Sequence, residues 1–145
     1  MIIISINTQF PVAVHILAFS AIVDGHITSD FIATSVNTNP VVIRRINTLL
    51  KKAGLIKTHS GVGGVSLNYD PKEIKLLDIY KAVTNQQNSL FDVHNAPNPE
   101  CPVGSNIHES LKAPLIEAQL ALENSLARYT LDDIIQTINE LNLKK

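Results

Sequence analysis

One stretch of this chain constrains the fold more than any other: a helix marked at both ends and followed at once by a glycine-punctuated pair of short apolar runs. Asn39 offers an N-cap oxygen, and Pro40 falls in the first helical turn, where a missing N–H costs nothing. Gly54 stands where a left-handed residue ends a helix. Between these markers Val42, Ile46, Leu49, Leu50 and Ala53 recur at helical spacing and predict a core face. Val41, Arg44, Arg45, Thr48, Lys51 and Lys52 fall on or beside the opposite face. Residues 55–60 and 65–69 then read as strands, and Gly61, Val62, Gly63 and Gly64 between them permit a tight turn. Upstream, Thr28 and Ser29 offer cap hydroxyls to a short helix carrying Phe31, Ile32, Ala33 and Val36, which the run 37–40 interrupts. Short helix, tight turn, basic helix and glycine hairpin make up a winged helix-turn-helix between about residues 28 and 68.

Charge is distributed to match. From Phe31 to Tyr69 there is no Asp or Glu, whereas Arg44, Arg45, Lys51, Lys52 and Lys57 give the segment a charge of +5. The whole chain has a formal charge of −1, so the remainder carries −6. Such segregation suits a protein that turns one face to a polyanion and keeps the rest acidic. The alternative is an ordinary solvated basic helix. With 145 residues, 45% of them hydrophobic, the chain is long enough for one domain with an added oligomerisation element and can bury a core.

Before this module, residues 9–23 read as a helix with apolar side chains around most of its circumference, which predicts burial on several sides, with a second subunit as the expected cover. The N-terminal stretch lacks a basic n-region and an evident cleavage site, and Ser5, Asn7, Thr8, Gln9, Pro11 and His15 break its apolar run. It therefore reads neither as a signal peptide nor as a membrane span. The single cysteine, Cys101, excludes an internal disulfide and fits a reducing cytoplasm. After the hairpin, Asp70 and Pro71 predict the cap of a helix over residues 72–84. Residues 85–104 are polar, rich in Asn and Pro, and long for a connection inside a compact domain, a length that often signals function. Ile107, Leu111, Leu115, Ala118, Leu122 and Tyr129 then recur as in a long packing helix that Pro114 either kinks or restarts. Thr130 and Asp133 form a capping-box pattern before a last helix ending near Leu141. The expected division is a DNA-binding domain over 1–84, a loop over 85–104, and a dimerisation helix with a C-terminal helix over 105–145.

In a helix-turn-helix the second helix enters the major groove by its N-terminal part. That assigns base-edge contacts to Asn39, Val41, Val42, Arg44 and Arg45, with Pro40 opening the helix. Arginine can donate two hydrogen bonds to guanine, and valine can meet the thymine methyl. Thr28, Ser29, Lys51 and Lys52 suit phosphates, which set register without reading sequence. The wing would add His59, Ser60, Gly61, Gly63 and Gly64. Enzyme chemistry finds no support, since the chain has no phosphate loop, nucleophile elbow or metalloprotease helix. His94, Cys101 and His108 lack recognised ligand spacing, so no metal or other cofactor is expected. Cys101, close before a helix start, is a candidate redox sensor, against the plainer reading of a buried inert thiol. A winged-helix adaptor that binds protein rather than DNA is the alternative class of function.

The stretch NPVVIRRINTLLKKAGLIKTHSGVGGVSL, followed by DPKEIKLLDIYKAV, resembles the Rrf2 family of winged-helix regulators, which includes sensors built on iron–sulfur clusters. The tail segment FDVHNAPNPECPVG resembles its YwnA-like branch. The resemblance implies a mainly α fold with a small β-hairpin wing and a long C-terminal dimerisation helix. It also implies a homodimeric repressor on a palindromic duplex-DNA operator, with Ile107, Leu111, Leu115, Ala118 and Leu122 in the dimer contact. Cluster-binding relatives carry three cysteines in the loop after the wing domain, where this chain has Cys101 alone, so their cluster does not carry over. Relatives often have arginine before the first wing glycine and a Gly-Tyr pair after the glycines. Ser60 and the pair Val65-Ser66 stand at those places here, shifting expected specificity from the wing to the helix.

Overall fold

The computed structural model describes residues 8–23, 27–59, 64–84, 91 and 93–145. In chain order the elements are α1 (Gln9–Ile22), α2 (Ser29–Val36), α3 (Pro40–Lys52), β1 (Ile56–Thr58), β2 (Val65–Leu67), a 3-10 turn (Pro71–Glu73), α4 (Leu76–Val83), α5 (Ile107–Leu126) and α6 (Leu131–Leu143). The fold is mainly helical with one two-stranded antiparallel hairpin directly after α3. This is the winged-helix arrangement.

α1 is the central element. It packs against α2, α3, α4, α6 and β2, and Ala13, Ile16 and Leu17 have no exposed surface. Aromatic edges fasten its two ends, Phe10 on Tyr80 at 6.0 Å and Phe19 on Phe31 at 5.6 Å between centroids. His15 Nε2 lies 2.8 Å from Ser35 Oγ and ties α1 to α2. Most of the cover expected from a second subunit thus comes from the chain itself.

Two breaks differ from the sequence pattern for local reasons. Asp70 does act as a cap, accepting from Lys72 N at 2.9 Å, but it caps only the 3-10 turn. The chain is then extended at Ile74 and Lys75, because these residues bond to the segment before α6. Leu131 N donates to Ile74 O at 2.8 Å, and Leu76 N donates to Tyr129 O at 2.9 Å. α4 therefore starts at Leu76, with Asp78 accepting from Lys75 N. Pro114 neither restarts nor ends its helix: α5 runs continuously through it, and Tyr129 falls beyond the helix. The strands are shorter than predicted, three residues each.

The capping box at α6 forms as its sequence indicates, with Asp133 N donating to Thr130 Oγ1 at 3.2 Å and Thr130 N to Asp133 Oδ2 at 2.8 Å. Leu131 directly behind the cap has no exposed surface and shares one core with α1, α3 and α4. Hydrophobic packing thus continues across the boundaries expected at residues 84 and 104, one core drawing on both sides of them. Leu131→Ala is expected to cost about 2–5 kcal/mol of unfolding free energy, the range for emptying a fully buried leucine site. Urea denaturation at fixed protein concentration measures it, and a loss below about 1 kcal/mol would show that α6 is an appendage.

Candidate nucleic-acid interface

The turn between α2 and α3 is built from three asparagine and threonine positions. Asn37 adopts a left-handed backbone at φ 64°, which asparagine tolerates and which ends α2. Thr38 N closes the turn onto Ala33 O at 3.0 Å. Asn39 Oδ1 then accepts from Val41 N at 2.8 Å and starts α3 with Pro40 in its first turn. At the other end Gly54 has φ 80°, Leu55 N reaches Leu50 O at 3.1 Å, and Gly54 N reaches Lys51 O at 3.0 Å. This paired closure satisfies the last carbonyls and sends the chain straight into β1. Asn68 Nδ2 donates to Gly54 O at 2.8 Å and holds the far end of the hairpin to the same point.

The buried stripe of α3 is Ile43, Ile46, Asn47 and Leu50, packed beneath α1, α2 and α4. This corrects the predicted core face. Val42 and Leu49 flank the stripe half-buried, and Ala53 is exposed, because positions 43, 46, 47 and 50 follow the helical repeat more closely. Asn47 is polar, 7% exposed, and its Oδ1 lacks a hydrogen-bond partner, which no hydrophobic pattern could reveal. Opposite, Val41, Arg44, Arg45, Thr48, Lys51 and Lys52 are all exposed. Val41 is 60% exposed at the N-terminal end, a large exposure for an apolar side chain.

Two of the polar candidates already have structural tasks. Thr28 Oγ1 accepts from Phe31 N at 3.1 Å as the cap of α2. Asn39 commits one lone pair of its oxygen to the α3 cap, which leaves its amide NH2 as the donor for a ligand. Ser29, Pro40 and Val42 are half-buried. In the wing the register pairs Ile56 with Leu67, Lys57 with Ser66 and Thr58 with Val65. Strand alternation therefore sets Lys57 and His59 on the face opposite buried Ile56, and both are exposed. Gly64 adopts φ 103°, a backbone open to glycine, and its carbonyl accepts from His59 N at 3.2 Å. Ser60, Gly61 and Gly63 lie outside the described residues.

The candidate sensor and dimer residues lie away from this surface in sequence. Cys101 is half-buried, and backbone N–H groups of Gly104 first and Val103 second hydrogen-bond its sulfur and hold the thiol below its usual pKa. Gly104 is required there, since a Cβ would stand 2.5 Å from Asn98 O. The rings of His94 and His108 meet edge to face at 5.2 Å. On α5 the residues predicted for the dimer, Ile107, Leu111, Leu115, Ala118 and Leu122, are all half-buried, and no residue of this helix is buried. Ile116 at 51% and Leu120 at 54% exposure form a further apolar strip, on the side of the helix away from the repeat at positions 111, 115, 118 and 122. No helix among the described residues is long and apolar enough to cross a membrane.

Residues 6–137 match the Rrf2 family, described as "Iron-dependent Transcriptional regulator". Over 130 residues the chain is 47% identical to YwnA of Bacillus subtilis (strain 168), a protein named for an HTH-type transcriptional regulator, covering 90% of this chain and 96% of that one. A crystal structure described as that of a DNA-binding protein superposes with a TM-score of 0.72 at 42% identity, over 88% of this chain and 99% of that one. CymR (YrzC), the global cysteine regulator of B. subtilis, shares the fold with a TM-score of 0.64 at 21% identity, over 94% and 98% of the two chains. The iron of the family description finds no matching thiolate set, because the chain has one cysteine. Among the described residues no three His, Cys, Asp or Glu side chains converge on a metal position.

Two outcomes follow from the geometry. Asn39→Ala should cost about 0.5–2 kcal/mol through loss of the α3 cap, with Asn39→Asp retaining most of it; equal losses in thermal denaturation would contradict the capping role. Because hydrogen bonds to Sγ stabilise the thiolate, alkylation of Cys101 by iodoacetamide should reach half its maximal rate below the usual thiol pH. A midpoint at or above that of a free cysteine peptide would contradict it.

Proposed function

Since this chain belongs to the Rrf2 family of transcriptional regulators, we propose that it is a homodimeric repressor that reads a palindromic duplex-DNA operator with α3 and carries no iron–sulfur cluster. The observation that carries the reading is the division of α3. One face is locked into the core by Ile43, Ile46 and Leu50, and the other presents Val41, Arg44, Arg45, Lys51 and Lys52 to solvent. A helix held this way offers its N-terminal residues to a groove while the helix before it crosses the backbone. Arg44 and Arg45 are the base readers in this account, with Val41 set for a thymine methyl. Lys51 and Lys52 neutralise phosphates, joined by Thr28 and Ser29 at the start of α2. The wing, from His59 through Ser60 and the glycines 61, 63 and 64, lies along the backbone.

Dimerisation is supported by α5. A helix of 20 residues with none buried is stable only if something covers it. Half-buried Leu111, Leu115, Ala118 and Leu122 together with exposed Ile116 and Leu120 supply apolar surface on two sides, which a second copy matches by symmetry. Cys101, just before α5 and held below its usual pKa by the N–H groups of Gly104 and Val103, is the proposed point of redox input, where a peroxide would oxidise the thiol to a sulfenic acid with release of water or alcohol and so alter the dimer and DNA affinity.

Binding to the chain's own upstream region, followed by fluorescence anisotropy across a salt series, tests the regulator reading. The logarithm of affinity should fall linearly with the logarithm of salt, by about 0.9 per phosphate contact. No complex at low salt would leave the fold to a protein-binding adaptor. Arg44→Ala should lose about 1–3 kcal/mol on the preferred duplex and little on a scrambled one; an equal loss on both makes Arg44 a phosphate contact. Ile116→Asp or Leu120→Asp should shift the protein to monomer in sedimentation, and an unchanged dimer would place the interface elsewhere.

A further inference from the structure

The outward face of the wing holds an arrangement that a general role in DNA binding does not explain. His59 Nε2 lies 2.8 Å from Ser66 Oγ across the hairpin. The backbone at His59 is fixed at the same time by its bond to Gly64 O. Lys57 pairs directly with Ser66 and shares the face. The imidazole is therefore held at its backbone and at one ring nitrogen, while the side chain remains exposed. We infer that Ser66 is a positioning residue that turns Nδ1–H of His59 toward a backbone phosphate of duplex DNA, with Lys57 as the adjacent cation. This rests on the DNA-binding reading and adds to it the residue that aims the wing.

The chemistry follows from what a hydroxyl and an imidazole can exchange. A serine hydroxyl donates to Nε2 when that nitrogen is unprotonated and accepts from it when it is protonated. In the first case a neutral ring carries its hydrogen on Nδ1; in the second the ring is either charged, with a hydrogen on both nitrogens, or the other neutral tautomer, with Nδ1 bare. A phosphate oxygen only accepts, so its approach selects the states in which Nδ1 donates. Ser66 thus holds one ring geometry in both charge states, and the charged state adds a cation to the contact. A base edge fits less well, because a single donor beside a lysine attracts any phosphate and discriminates little among bases.

Histidine changes charge between about pH 5 and pH 8, so the contact has a signature that a merely structural Ser66 lacks. The elements packed on the hairpin are α3 against β1 and α1 against β2. α3 contributes Arg44, Arg45, Lys51 and Lys52, and the ionisable side chain on α1 is His15, bonded to Ser35. Ile27, whose backbone lies near Gly64, is preceded in sequence by Asp24 and His26, and β2 is followed by Tyr69 and Asp70. Residues 60–63 contribute no ionisable side chain. His15 and His26 are the other histidines that a control must remove.

The test is anisotropy with a duplex selected from a random pool, run as salt series near pH 6 and near pH 8. For the wild type, the log–log slope should be steeper at the lower pH by up to about 0.9, one phosphate contact. His59→Gln should abolish that difference, while His15→Gln and His26→Gln leave it. Ser66→Ala should weaken binding at the lower pH by about threefold to tenfold and shrink the slope difference. Ser66→Thr, which restores a hydroxyl, should recover both. Should Ser66→Ala not fold, Ser66→Thr and His59→Gln still carry the test. A slope difference that survives His59→Gln, or a folded Ser66→Ala that binds as the wild type does, overturns the inference and leaves DNA binding standing. A wild type that forms no complex at either pH overturns both.

Discussion

Everything on the outer surface of α3 depends on what its inner surface buries. Ile43, Ile46 and Leu50 have no exposed surface and sit beneath α1, α2 and α4. Each contributes about 1.5–3 kcal/mol by leaving water, and together they set the rotation of the helix about its own axis. Turning α3 by one residue would expose isoleucines and bring arginines against α1. The cationic face is therefore fixed by an apolar constraint on the other side. The same rigidity reaches the wing, because the Gly54 closure and the Asn68 bond leave no slack between the end of α3 and the hairpin.

Elements whose ends are set by their own residues were legible in the sequence. The caps at Thr28, Asn39, Gly54 and Thr130 work within three or four residues of chain, so the sequence alone contains them. The start of α4 was not legible, because the break at Ile74 and Lys75 is imposed by pairing with Tyr129 and Leu131, more than fifty positions away. The core face of α3 lies slightly rotated from its apolar pattern for a different reason. Asn47 belongs to the buried stripe, and a polar residue there drew the apolar count toward Val42 and Leu49. On α5 the pattern identified the half-buried side and passed over Ile116 and Leu120, since exposure in one chain does not appear as periodicity.

The family's description speaks of iron, and its winged-helix fold is present among the described residues, while the cysteines of this chain number one, Cys101. The segment around Cys101 is nevertheless specifically built: Asn98 Oδ1 accepts from Glu100 N at 3.0 Å, Asn106 Nδ2 donates to Pro102 O at 2.8 Å, and Gly104 passes close to Asn98. It runs directly into α5, the helix that most lacks cover within one chain. A change at this segment has a short covalent route to the proposed subunit contact, and from there to the spacing of two α3 helices.

The central claim is that the outward half of α3 reads base edges in the major groove. Replacing guanines one at a time by an analogue lacking N7, in a duplex selected for tight binding, tests it without altering the protein. The account predicts that affinity drops at guanines in two clusters, centred about one helical turn or a multiple of it apart, and that Arg44→Ala makes the protein indifferent to one guanine in each. A uniform small effect along the duplex, or sensitivity unaffected by any α3 substitution, would contradict it.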